Sequence, residues 1–244
     1  MKKHRTSSLP IVKLTAAIAL AITFTFTACE EKKKQDSTAT ATEPAAIAET
    51  QEAASESQPS GEQKCPNAIT GNGTLTCGGQ TYKTVKIGNQ TWMAENLNYQ
   101  PNTGNSWCYD DKADNCKKYG RLYDLPTALE VCPAGWKLPS QQEWDNLVTV
   151  AGGQETSGKK LKSKSGWILN DENISGTDDF GFSALPGGGR YGDGYFNHAG
   201  SGGSWHTADG GGYAADEQDS FFRIEYVDED DYDSYGYSVR CIQN

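Results

Sequence analysis

Apolar and polar residues follow a helical period most clearly over residues 140–153. Ser140 has the residue type of a helix N-cap and Glu143 follows three positions later, which predicts a capping box. The next apolar residues fall on one helix face, which a Gly-Gly pair ends: Trp144, Leu147, Val148 and Ala151. A shorter helix is predicted upstream, capped by Asp124, with an apolar face of Leu125, Ala128, Leu129 and Cys132. The corner at residues 132–135 joins the two helices.

Alternating apolar and polar residues predict strands on both sides of these helices. One strand is predicted over Gln80–Ile87, and Gly88-Asn89 is a two-residue hairpin signal before a return strand over Gln90–Ala94. Near the C-terminus, Phe221–Val227 alternates in the same way. A last strand is predicted where three inward residues alternate: Tyr237, Val239 and Cys241.

Regular patterning is weaker between residues 152 and 220. A cluster of four lysines is interpreted as a solvated face: Lys159, Lys160, Lys162 and Lys164. The apolar run Phe180–Pro186 is predicted to be core. The segment Gly187–Gly212 is rich in glycine, which permits tight loops. We therefore predict either an irregular packed layer or a ligand-binding face there.

The N-terminus has the order of an export signal: basic residues, an apolar run from Leu14 to Phe26, and small residues before Cys29. The run is shorter than a comfortable membrane span. Residues 26–29 resemble a bacterial lipoprotein box, which implies cleavage after residue 28 and lipid attachment at Cys29. An ordinary secretory signal with a chance cysteine is the alternative. Glu30 is not the usual inner-membrane retention residue, which favours an outer-membrane anchor, exposed at the surface in some groups.

Residues 29–64 contain no aromatic side chain and almost no branched apolar ones. Such a segment cannot bury enough apolar surface to offset its ordering entropy, so it is predicted to be a disordered tether. The predicted organisation is a signal peptide over residues 1–28, the tether over 29–64 and one folded domain over 65–244.

Net charge disfavours nucleic acid as a partner. The whole chain carries −10, and removal of residues 1–28 takes away four basic and no acidic residues, which leaves 18 basic and 32 acidic groups, or −14. A strongly acidic domain repels phosphate backbones.

Six cysteines remain once Cys29 is assigned to lipid, and an even number in an exported domain predicts three disulfides. Fifteen pairings are possible in principle. Proximity in the sequence favours Cys65–Cys77 and Cys108–Cys116, which leaves Cys132–Cys241. A zinc site is disfavoured because no Cys-x-x-Cys pair is present and the compartment is oxidising.

The sequence predicts no cofactor and no metal site. The acidic loop at residues 110–114 is oxygen-rich, as calcium loops are, but its spacing does not match an EF-hand loop, so a solvated loop is favoured. His198 and His206 lie eight residues apart without a third ligand, so packing or surface positions are favoured for both.

Five motifs, in order over about residues 77–244, resemble the Fibrobacter succinogenes major paralogous domain: Tyr82–Tyr99, Tyr119–Tyr123, Cys132–Pro139, Phe180–Gly188 and Gly236–Cys241. The resemblance implies an exported bacterial lipoprotein. The chain departs from the family pattern at Leu125-Pro126, where members often have Trp-Ala, and at the acidic residues 228–233, where many are Asn-rich.

The pattern is also distantly similar to the C-type-lectin-like and formylglycine-generating-enzyme folds. This similarity implies an α+β, irregular, loop-rich domain with two helices, short antiparallel strands and three disulfides. In lectin-like domains a helix cysteine bridges to the last strand, which agrees with the Cys132–Cys241 pair.

The favoured function is a non-enzymatic, lipid-anchored binding module of the cell envelope for glycans such as plant-wall polysaccharide. Exposed aromatic rings stack on sugars, and the candidate ligand-binding residues are Tyr191, Tyr195, Trp205, His206 and Tyr232. One alternative is an envelope structural or protein-interaction domain, with another envelope protein as partner. The other is an enzyme related to the formylglycine-generating fold, which needs a reactive cysteine pair.

Overall fold

The computed structural model describes residues 64–168, 176–216, 223–225 and 232–244. The predicted signal peptide, the lipid site at Cys29 and nearly all of the tether lie outside the described residues. So do most of the predicted strand Phe221–Val227 and most of the acidic turn at 228–233. Among the described helices, none has both the length and the apolar character that a membrane span requires.

Four α-helices and two sheets make the described part a mixed α+β domain. The helices are α1 (Ala113–Tyr119), α2 (Leu125–Val131), α3 (Gln141–Val150) and α4 (Gln154–Leu161). The strands, in chain order, are β1 (Ile69–Gly71), β2 (Thr74–Cys77), β3 (Gln80–Ile87), β4 (Gln90–Met93), β5 (Ser106–Trp107), β6 (Leu122–Tyr123), β7 (Trp136–Lys137), β8 (Gly187–Arg190), β9 (Phe196–Ala199), β10 (Gly202–His206), β11 (Gly212–Asp216), β12 (Arg223–Glu225), β13 (Tyr237–Ser238) and β14 (Ile242–Gln243).

The first sheet is antiparallel, in the order β1-β2-β3-β4-β14-β7. The second sheet is mixed, in the order β12-β11-β10-β13-β6-β5, and β8 lies parallel to β10 and carries β9 at its other side. The C-terminal segment contributes β13 to the second sheet and β14 to the first. The last eight residues therefore join the two sheets.

The strongest local patterns are confirmed. Strand β3 pairs with β4 across Gly88-Asn89, as the hairpin signal predicts. The Ser140 hydroxyl accepts from the Glu143 N–H at 3.3 Å, and the Glu143 carboxylate accepts from the Ser140 N–H at 2.9 Å, which completes the capping box of α3. Asp124 caps α2 by accepting from the Thr127 N–H at 3.0 Å.

Other expectations from the sequence are wrong. The two-helix prediction misses α1 and α4, because both are short and polar with little apolar periodicity. Leu129 is 47% exposed, and Val131 instead lies on the buried face of α2. Lys162 is buried, not solvated, because its Nζ donates to the Asp216 carbonyl and lies 4.7 Å from the Trp167 ring.

The glycine-rich segment is more regular than predicted, since it contains β8, β9 and β10. Glycine is required here by close backbone approach. A Cβ at Gly188, where φ is +67°, would lie 2.4 Å from the Asn197 carbonyl oxygen, and one at Gly203 would lie 2.7 Å from the Leu185 carbonyl oxygen. The absence of side chains thus lets β8 pack between its neighbours.

All six described cysteines form disulfides, and the pairs are the predicted ones: Cys65–Cys77, Cys108–Cys116 and Cys132–Cys241. The first two span 12 and 8 residues, whereas Cys132–Cys241 spans 109. This last bridge ties the C-terminal end of α2 to the segment between β13 and β14.

A buried guanidinium connects the core. Arg240 is fully buried, and its Nε donates to the Asn96 side-chain oxygen at 2.8 Å. Its Nη atoms donate to the Phe182 and Ser183 carbonyls. Trp205 Nε1 donates to the same Asn96 oxygen at 2.9 Å. Burial lowers the pKa of Arg240 to about 9. Asn96 therefore satisfies two buried donors with one oxygen.

Replacement of Asn96 by Leu should lower the free energy of unfolding by about 3 kcal/mol, because it leaves the Arg240 Nε and Trp205 Nε1 donors without that acceptor. Denaturant unfolding, monitored by Trp fluorescence, measures this change in the free energy of unfolding. The exposed Asn102→Leu is the control and should change stability by less than about 0.5 kcal/mol. Equal effects of the two substitutions would contradict this role of Asn96.

Removal of the long-range disulfide should lower the free energy of unfolding more than removal of a short one. In the chain-entropy model, Cys132→Ala with Cys241→Ala loses about 5 kcal/mol, and Cys65→Ala with Cys77→Ala loses about 3 kcal/mol, because the closed loops differ in length. Denaturant midpoints of the two double variants test the order. A larger loss for the shorter loop would show that native-state packing, not loop length, dominates.

Candidate ligand-binding groove

The two exposed tyrosines among the candidates lie in the tip of the β8–β9 hairpin, at residues 191–195. The Tyr191 N–H donates to the Tyr195 carbonyl at 2.8 Å, and the Gly194 N–H donates to the Tyr191 carbonyl at 2.9 Å. Asp193 accepts from the Tyr195 N–H at 2.9 Å through its carboxylate. Gly194 has φ +95°, which closes the tip without steric strain. The tip is therefore held by its own hydrogen bonds.

These two tyrosine rings form one surface. The rings of Tyr191 and Tyr195 are nearly parallel, at 7°, with centroids 6.4 Å apart. Tyr195 is 64% exposed and Tyr191 is 36% exposed. Tyr191 also meets the Tyr235 ring edge-on at 5.4 Å, which supports the pair from the side of the protein.

A polar groove of about 290 Å³ lies beside the hairpin tip. It is formed where β5, the end of β8 and a 3₁₀ turn at Tyr232–Ser234 come together. We call it the Arg190 groove, and its lining residues are Asn105, Trp107, Asp124, Arg190, Gly192, Asp233 and Ser234. Indole, guanidinium, amide, hydroxyl and carboxylate groups thus share one surface depression.

Arg190 has a fixed position in this groove. Its backbone exchanges two hydrogen bonds with Gly236, at 2.9 and 2.7 Å. Its guanidinium carbon lies 4.2 Å from the centroid of the Trp107 ring and 5.8 Å from that of Phe196. Cation–π contacts of this kind orient the planar guanidinium against the rings.

The two carboxylates of the groove differ in role. Asp124 is buried, caps α2, and accepts a second hydrogen bond from the Asn105 side-chain nitrogen at 2.6 Å. Its oxygens are therefore committed to the fold. Asp233 is exposed at the rim, where a ligand can reach it.

Three candidate residues were wrongly assigned to a ligand-binding surface. Trp205, His206 and Tyr232 are only 0%, 1% and 7% exposed, so none can stack on a ligand from solvent. Trp205 and His206 lie in β10, at the centre of the second sheet, and pack between elements that are distant in the sequence. The sequence of this strand resembles that of a loop, because glycines precede and follow it.

His206 is a buried core histidine. Its Nε2 lies 2.7 Å from the Tyr123 carbonyl, so this nitrogen donates, and Nδ1 lies 2.8 Å from the Tyr232 hydroxyl, which also contacts the Gly211 carbonyl. Burial lowers the pKa of His206 to about 4. The imidazole is therefore neutral near pH 7.

No cluster of three or more His, Cys, Asp or Glu side chains suited to a metal occurs in the described ranges. Asp110 and Asp111 lie in a 3₁₀ turn, and Asp114 lies in the first turn of α1. The segment predicted as an acidic loop is thus partly helical. His198 is exposed, whereas His206 is buried in the core.

Sequence reasoning did not select Trp107, Arg190, Asp233 or Ser234. Trp107 is half-buried on the groove wall. The signal for Arg190 was its position beside the two tyrosines in a glycine-rich hairpin. The other residues come from distant segments, so their proximity depends on tertiary structure.

Stability should fall as the pH drops from 6.5 to 4, because unfolded His206 binds a proton in this range and the buried native imidazole does not. The contribution of His206 is about 3 kcal/mol, fully present above pH 6.5 and lost near pH 4. Urea unfolding at several pH values measures it. His206→Gln should flatten the profile, and the exposed control His198→Gln should leave it unchanged. Identical profiles for wild type and His206→Gln would refute the assignment.

Comparison with known proteins identifies one family. The model of the Fibrobacter succinogenes major domain family matches residues 85–243, which covers the groove, the hairpin tip and the Cys132–Cys241 bridge. Neither the curated proteins nor the solved structures contain a match to the chain. Since the matched region spans well over half of the sequence, the chain belongs to the Fibrobacter succinogenes major domain family.

Proposed function

We propose that this domain is a glycan-binding module of the bacterial cell envelope, anchored in the outer membrane through lipid at Cys29. The observation that carries the binding proposal is the pair of exposed, nearly parallel tyrosines beside the Arg190 groove. The anchor and the outer-membrane location rest on the sequence signals at residues 26–30.

The chemistry of the two surfaces fits a sugar. Carbohydrate rings present C–H faces that stack on exposed aromatic side chains, and Tyr195 offers such a face on a rigid tip. Sugar hydroxyls need donors and acceptors, which Asn105, Asp233 and Arg190 supply in the adjoining groove. A groove of about 290 Å³ is at the small end of ligand-binding sites, which suits a short stretch of an open polysaccharide.

The proposal includes a C-type-lectin-like fold. Its support is the bridge from the end of α2 to the segment before β14, together with a C-terminal strand that pairs with β4 near the start of the domain. The alternative of a formylglycine-type oxidase requires a reactive cysteine pair, and each described cysteine is in a disulfide. A free-thiol titration of the folded protein tests that alternative directly.

Substitution of the exposed ring should weaken glycan binding. Tyr195→Ala removes the stacking face and should raise the dissociation constant about 10-fold, since a stacked aromatic anchor contributes more than about 1 kcal/mol to binding. A glycan panel that includes plant-wall polysaccharides identifies the ligand, and isothermal titration measures the affinity.

The matched control is Ile69→Ala, because Ile69 is 67% exposed and lies in β1 of the other sheet. Its binding should equal that of wild type. Absence of binding to every glycan of the panel would refute the proposal, and surface crosslinking to a single envelope protein would then favour the protein-interaction alternative.

A further inference from the structure

The geometry points to a carboxylate-bearing sugar, a uronic acid, as the ligand of the Arg190 groove, with the Arg190 guanidinium binding its carboxylate. The inference rests on the proposed glycan-binding function and names the class of sugar. It starts from the fact that Arg190 is the cation in the groove lining, where the other charged residues are Asp124 and Asp233.

The hydrogen-bonding capacity of Arg190 is largely unused within the described part of the chain. A guanidinium has five N–H donors, and here one long contact, from Nη1 to the Tyr191 carbonyl at 3.4 Å, is made. No carboxylate of the described residues forms an ion pair with Arg190. The remaining donors are therefore available to a ligand in the groove.

The orientation of the side chain favours bidentate binding. The guanidinium carbon of Arg190 lies over the Trp107 ring, 4.2 Å from its centroid. An indole accepts no hydrogen bond from the guanidinium N–H groups through ring carbons, so this contact leaves those groups able to meet a planar carboxylate. The two backbone hydrogen bonds to Gly236 fix the main chain, and the Trp107 and Phe196 contacts restrict the side chain, which lowers the conformational entropy lost on binding.

The surroundings distinguish a uronic acid from a simple anion. Tyr195 precedes Phe196, the cross-strand partner of Arg190, and its 64% exposed ring offers a stacking face at the same hairpin tip. Asn105 adds an amide for a sugar hydroxyl. A free inorganic anion would use the guanidinium alone and gain nothing from the tyrosines.

Asp233 provides an internal check. Its carboxylate lies on the same groove and repels a bound carboxylate, whereas it would accept a hydrogen bond from a neutral sugar. Asp233→Asn should therefore strengthen binding of an acidic sugar severalfold. Weaker binding of the acidic sugar by this variant would contradict the inference.

The direct test compares trigalacturonic acid with its methyl ester on the purified full chain, by isothermal titration. The two probes share their rings and hydroxyls and differ in the carboxylate charge. The wild-type protein should bind the acid roughly 10- to 100-fold more tightly, the range expected for charge-assisted hydrogen bonds. Arg190→Gln should abolish this preference, because it should weaken binding of the acid far more than binding of the ester, while Arg190→Lys should retain part of the preference.

Thermal melting of each variant checks that the loss of the Trp107 contact has not unfolded the domain. Equal affinity of the wild type for the acid and the ester would overturn the uronic acid inference and leave the glycan proposal intact. Failure of the ester, the acid and every neutral glycan to bind would overturn both. Binding of phosphate or sulfate as tightly as trigalacturonic acid would also overturn the uronic acid inference, since such binding would show that the groove recognises charge without the sugar.

Discussion

The buried guanidinium of Arg240 imposes the constraint on which the arrangement of the domain depends. A charge inside a protein must be surrounded by hydrogen-bond acceptors, because its removal from water is otherwise too costly. The acceptors here are the Asn96 side chain and the carbonyls of Phe182 and Ser183, which come from segments far apart in the sequence. Arg240 itself lies beside Cys241, whose disulfide holds the same segment to α2.

A continuous series of aromatic contacts connects this core to the proposed binding surface. His206 meets Tyr232 at 5.7 Å, Tyr232 meets Tyr235 at 6.4 Å, and Tyr235 meets Tyr191 at 5.4 Å, which in turn stacks with Tyr195. The exposed ring is therefore supported by packed rings down to a buried histidine. Such support holds a binding residue in one orientation before the ligand arrives.

The groove itself depends on the second sheet and its neighbours. Trp107 directly precedes Cys108, whose disulfide to Cys116 ties the end of β5 to α1. Arg190 lies at the end of β8 and pairs with Phe196 of β9. Glycines at 188 and 203 let β8 approach its neighbours closely enough to place Arg190 over Trp107. A Cβ at either position would displace this strand and the guanidinium with it.

The sequence by itself determined the features that depend on neighbouring residues: the capping box of α3, the Asp124 cap, the β3–β4 hairpin and the two short cysteine pairs. It also determined the family, and the two short pairs left Cys132–Cys241 as the third. These follow from local hydrogen bonding, side-chain periodicity and loop closure. Tertiary structure alone decided that Trp205, His206 and Lys162 are buried, that the glycine-rich segment forms strands, and that Trp107, Arg190 and Asp233 share a groove. The physical reason is that burial and proximity are set by contacts between distant segments, and no local pattern in a glycine-rich chain records which segments those are.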